Sequence, residues 1–96
     1  MNDGTQRDHR LLPWSGQDGK PCYLSCDGDG LIDALADELE EMQLRLGDEL
    51  LGRARELLTG EGAAAHELRF LVERMGEALR DALRVAESRG GRLGRQ

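Results

Sequence analysis

The sequence predicts a mainly α-helical fold: an antiparallel two-helix hairpin, dimerising into a four-helix bundle and preceded by a short irregular or β-ribbon segment. Three observations predict it. Residues 31–58 and 63–89 each repeat apolar side chains at the spacing of an amphipathic helix. Only Thr59-Gly60-Glu61-Gly62 separates the two stretches, and so short a connection makes antiparallel neighbours of them. Both stretches also hold more leucine than one hairpin can shelter.

Residues 1–30 form a turn-rich segment punctuated by Pro13, Gly16, Gly19, Pro21, Gly28 and Gly30. Within it, Lys20-Pro21-Cys22-Tyr23-Leu24-Ser25-Cys26 reads as a strand, and the preceding Asp18-Gly19 is a hairpin-turn signal. Trp14 falls on the other arm of such a ribbon. An isolated hairpin is marginal in water, so it has to lie on the helices.

The first helix, about 31–58, opens at Asp29-Gly30. Asp29 is a good N-cap, and Asp33 lies in the first turn, where the helix dipole favours an anion. At 100° per residue, Leu31, Ile32, Leu35, Leu39, Met42, Leu46, Leu50 and Leu57 share one stripe. Gly47 and Gly52 interrupt helix propensity at about 1 kcal/mol each relative to alanine and allow a bend. The second helix, about 63–89, has its stripe at Leu68, Leu71, Val72, Met75, Leu79, Ala82, Leu83 and Ala86. Gly90-Gly91 supplies a stop, leaving 90–96 as a flexible tail. Folding about Gly60 pairs Leu50 with Leu71, Leu46 with Met75, Met42 with Leu79, and Leu39 with Ala82 or Leu83. It also sets Asp33, Asp37, Glu38, Glu40 and Glu41 opposite Arg80, Arg84 and Arg89.

The surplus consists of Leu44, Leu51 and Leu58, recurring every seven residues away from the main stripe, and Phe70 on the second helix. Burying each is worth about 1.5–3 kcal/mol, so leaving all four in water forgoes a sum comparable with a small domain's stability. The leading expectation is therefore a homodimer or a helical protein partner contacting Leu44, Leu51, Leu58, Phe70 and Trp14. Two alternatives compete: the region around Leu11, Leu12, Trp14, Tyr23 and Leu24 folds over this face, or the residues stay exposed.

Composition narrows the function classes. Ninety-six residues with 13 basic and 19 acidic side chains carry −6, which repels phosphate backbones and anionic lipid, so neither nucleic acid nor membrane is expected as a partner. The amino-terminal residues contain no apolar signal-peptide core, and two cysteines fit a reducing compartment. The expectation is a cytoplasmic protein.

Chemical motifs are incomplete. Cys22 and Cys26 make half of a zinc site, but His9 and His66 are remote in sequence, and in an extended strand the two Cα atoms stand about 13 Å apart. A thiol- or metal-sensing protein using this pair is the alternative function. Asp27-Gly28-Asp29-Gly30 resembles part of a calcium loop, yet Ala36 occupies the position that needs a bidentate Glu. His66-Glu67 begins a zinc-protease helix motif, and Phe70 stands where its second histidine belongs. Gly19-Lys20 ends like a phosphate loop, with Trp14 and Pro21 at positions that need Gly and Ser/Thr. No catalytic residue, no metal ligand set and no cofactor is expected.

Leu12-Pro13-Trp14-Ser15-Gly16-Gln17-Asp18-Gly19-Lys20-Pro21-Cys22-Tyr23-Leu24, with Glu67-Leu68-Arg69-Phe70-Leu71 and Arg84-Val85-Ala86-Glu87-Ser88-Arg89-Gly90, resembles a group of short uncharacterised actinobacterial proteins sharing a W-S-G-x-D-G-K-P-C-Y-L segment. The resemblance implies an ordered, specific element over residues 12–26 and brings no activity, ligand or partner with it. The sequence as a whole points to a non-enzymatic, regulatory, helical protein–protein interaction module that is homodimeric.

Overall fold

A computed structural model describes residues 9–25 and 30–93 of the chain. Asp29, the expected N-cap, and Cys26 lie outside the described residues.

The amino-terminal ribbon is present. Strand β1 (His9–Ser15) pairs antiparallel with β2 (Pro21–Ser25), with Arg10 opposite Leu24 and Leu11 opposite Tyr23, and the ladder is irregular between Leu11 and Ser15. The turn between them is closed by Gly16 N–H donating to the Lys20 carbonyl at 2.8 Å and Gly19 N–H to the Gly16 carbonyl at 3.0 Å. Asp18 Oδ1 accepts from Lys20 N–H at 3.0 Å, an Asx-type contact that fixes this corner. Gly19 has φ +80° with open space around it, so its backbone alone demands glycine. Gly19→Ala is expected to cost about 1–2 kcal/mol in urea unfolding; an unchanged midpoint would show that the turn relaxes freely.

Two helices follow, α1 (Gly30–Thr59) and α2 (Ala65–Leu93). α1 ends where Gly60 N–H reaches the Glu56 carbonyl at 3.0 Å, and Gly62 turns the chain at φ +71°. At the start of α2, Glu67 Oε1 accepts from Ala64 N–H at 3.0 Å, the acidic half of a capping box. α1 is one continuous helix through Gly47 and Gly52. One boundary differs from expectation: α2 runs on through Gly90-Gly91 to Leu93. Neither glycine of that pair takes a positive φ, so the left-handed cap that would stop the helix does not form.

The helices pack as a hairpin, but rotated from the expected stripe. The sheltered line on α1 is Ala36, Glu40, Gln43, Gly47, Leu50, Ala54 and Leu57; on α2 it is Leu71, Met75, Ala78, Ala82 and Val85. Both lines step by four and three, the spacing of a helix–helix seam. Of the expected pairs, Leu50 and Leu71 are sheltered, whereas Met42, Leu46, Leu79 and Leu83 are exposed. The rotation has two physical causes. Small residues on the seam let the backbones approach, and the ribbon must bring Arg10 against carboxylates that lie beside the seam.

The ribbon sits at the open end of the hairpin. Arg10, Leu11, Leu12 and Pro13 are buried in succession, which in a strand means that both faces are covered. Ser88 Oγ donates to the Leu11 carbonyl at 2.9 Å, while Gln43 Nε2 and Arg84 Nη1 donate to the Pro13 carbonyl at 2.9 and 3.3 Å. One strand is thus held by side chains from both helices.

Candidate interaction surface

Arg10 anchors this arrangement. Its guanidinium donates to Asp33 Oδ1 at 2.8 Å, Asp37 Oδ1 at 2.6 Å and Glu40 Oε2 at 3.2 Å. Glu40, with 1% of its side chain exposed, also takes Arg89 Nη2 at 3.4 Å. Burial works against the Arg10 charge, and the hydrogen bonds it donates to Asp33, Asp37 and Glu40 outweigh it, holding its pKa above the ordinary arginine range. The cluster ties ribbon to hairpin through Arg10 Nη1 and Nη2, while the buried Arg10 Nε has no hydrogen-bond partner among the described residues; its contacts lie within the fold, so it serves structure. The expected partners for the acidic run were Arg80, Arg84 and Arg89. Of these, Arg89 reaches Glu40, whereas Arg84 turns to Asp81 and the Pro13 carbonyl.

Beyond the ribbon, towards the interhelical loop, the two helices leave an apolar groove of about 720 Å³. Leu44 and Leu51 of α1 and Val72 and Leu79 of α2 form its rims over Gly47, Leu50, Met75, Gly76, Ala78 and Ala82. Among the described residues, Gln43 and Asp48 are the only polar ones lining it. Gln43, which holds the Pro13 carbonyl, marks the end nearest the ribbon. A smaller hollow of about 260 Å³ lies between the ribbon turn and α2, with Ser15, Gly19 and Pro21 facing Arg80, Arg84 and Glu87.

The residues singled out from the sequence divide into three sets. Leu44 and Leu51 are exposed and share the groove. Leu58 continues their seven-residue spacing at 83% exposure, past the last lining residue of α1. Phe70 is 60% exposed and lies elsewhere, with the Arg74 guanidinium 5.6 Å from its ring centroid, a cation–π contact. Trp14 is half-buried near the end of β1 and does not line the groove. Cys22 is half-buried and free; Cys26 lies outside the described residues. Among the described residues no three His, Cys, Asp or Glu side chains are placed to hold a metal ion. Among the described residues no helix is long and apolar enough to cross a membrane.

Sequence reasoning missed Arg10 as the anchor of the ribbon and Val72 and Leu79 as rims of the groove. For Arg10 a signal existed: an acidic run on α1 without a base of its own, and one arginine directly before Leu11-Leu12-Pro13-Trp14. For Val72 and Leu79 the signal pointed inward, because their periodicity looked like core. No family model, no curated protein and no solved structure matches the chain.

Proposed function

We propose that the protein is a non-enzymatic helical interaction module, regulatory in kind, that works by self-association through the groove between α1 and α2. The observation that carries this reading is the imbalance of apolar burial. Among the described residues, the buried hydrophobic side chains are Leu11, Leu12, Ala36, Leu71 and Val85, while thirteen large ones are exposed. Leu44, Leu51, Val72 and Leu79 are exposed together along the groove, and an open contiguous apolar face of this kind is what marks an interaction site.

The ribbon does not relieve this exposure. It covers the open end of the hairpin, leaving Leu44 and Leu51 uncovered. Stacking two hairpins groove to groove would bury both sets of rims and produce a four-helix bundle. Cytoplasmic residence fits the acidic composition and the free thiol of Cys22.

Sedimentation equilibrium across a dilution series tests the reading. The expected result is a reversible monomer–dimer equilibrium that reaches twice the 10.6 kDa chain mass at roughly tens of micromolar, the weak end of the range that protein interfaces span. A single species of 10.6 kDa throughout would remove self-association.

A further inference from the structure

We infer that the hollow between the ribbon turn and α2 binds a small zwitterion of amino-acid size, an ammonium and a carboxylate carried on a short aliphatic chain. The inference goes beyond self-association and does not depend on it, because the hollow shares no lining residue with the groove. Its volume of about 260 Å³ falls just below the roughly 300 Å³ at which sites for drug-sized ligands begin, so the space suits a smaller molecule.

Arg80, Arg84 and Glu87 stand at i, i+4 and i+7 of α2, which places them on one face of the helix. That face lines the hollow together with Ser15 of the ribbon, and Leu83 and Pro21 add apolar wall. Opposite charges thus line one space without meeting. Among the described residues neither Arg80 nor Glu87 makes an ion pair or a side-chain hydrogen bond, and their spacing of seven residues is wider than the three or four that direct pairing along a helix uses. Arg84, between them, is held in place. Its side chain is 19% exposed, and Nη1 alone donates to the Pro13 carbonyl and Asp81 Oδ1, both at 3.3 Å, which leaves Nε and Nη2 as donors.

A carboxylate taken up by those donors, with Arg80 as second cation, uses the fork that guanidinium presents to carboxylates. Asp81 already offsets the Arg84 charge, so Arg80 answers the ligand's negative charge and Glu87, one turn beyond Arg84, its positive charge. A simple anion would leave Glu87 unanswered, and a simple cation would leave Arg80. The zwitterion satisfies both, with its aliphatic chain against Leu83 and Pro21.

Two-dimensional NMR of the isotope-labelled full chain, titrated with leucine, isocaproate and isoamylamine, tests this. The three share one branched aliphatic chain; isocaproate lacks the ammonium and isoamylamine the carboxylate. Leucine is expected to shift amides of the ribbon turn and of α2 between Arg80 and Glu87 with a Kd of about 1 mM, and each analogue to bind at least about tenfold more weakly. Arg80→Gln and Glu87→Gln, at exposed positions, are each expected to keep the parent's helix content by circular dichroism and to weaken leucine about tenfold. No localised shift at roughly 20 mM leucine, shifts that both variants leave unchanged, or an analogue that binds as tightly as leucine would each overturn the assignment.

Discussion

Arg10→Met is expected to lower the unfolding free energy by about 3 kcal/mol, because it strands the Glu40 carboxylate in the interior with only Arg89 at 3.4 Å. For a chain of this length that corresponds to a fall of about 12–20 °C in Tm. Asp33 and Asp37 are far more exposed and rehydrate at little cost, so the penalty falls on Glu40. The double variant Arg10→Met/Glu40→Leu is therefore expected to recover at least half of the loss, since well-packed apolar pairs replace buried ion pairs at little cost. Urea unfolding at fixed protomer concentration checks both, the concentration being held because dimerisation contributes to apparent stability. A loss below about 1 kcal/mol in the single variant would mean that Glu40 finds water, and that the ribbon is not locked by this cluster.

The second large effect lies on the groove. Leu51→Asp is expected to weaken the dimer by more than 100-fold, because a twofold interface buries the new carboxylate twice without a partner. In the monomer this side chain is 47% exposed, so the helix content at nanomolar concentration should stay unchanged. Phe70→Asp offers the contrast: Phe70 lies off the groove and its loss is expected to change the association constant by less than threefold, as for surface positions outside an interface. Equal effects from Leu51→Asp and Phe70→Asp would mean that the apolar surplus acts without a defined face.

Much of the fold was legible in the sequence because it rests on local rules. The Asp18-Gly19 turn, the strand around Cys22 and Tyr23, and the glycine-punctuated loop at residues 60–62 all appear where turn chemistry places them. The rotation of the helices was not legible. Leucine periodicity marked Met42, Leu46, Leu79 and Leu83 as core, whereas the structure shelters smaller residues such as Ala36, Gly47, Ala54 and Ala78. Periodicity reports where apolar side chains cluster on a helix, and not whether they face the same chain or another. In a chain with two leucine faces per hairpin the choice is made by long-range contacts. Here the deciding one is Arg10, 30 residues from Glu40, and no local pattern announces it. Gly90-Gly91 failed as a stop for a related reason: glycine permits a left-handed cap without imposing one.

The same ambiguity shaped the candidate site. Leu44 and Leu51 were recognisable because they fall outside the main stripe. Val72 and Leu79, the opposing rim, were hidden inside what looked like core. Leu58 and Phe70, the most exposed of the surplus, lie outside the groove.

Isotope-filtered NMR on a mixture of labelled and unlabelled chains tests the central claim most directly. Intermolecular contacts are predicted among the methyl groups of the groove residues Leu44, Leu51, Val72 and Leu79 of the two copies. Methyl contacts confined to single chains, at a concentration where the groove residues remain open to water, would contradict it.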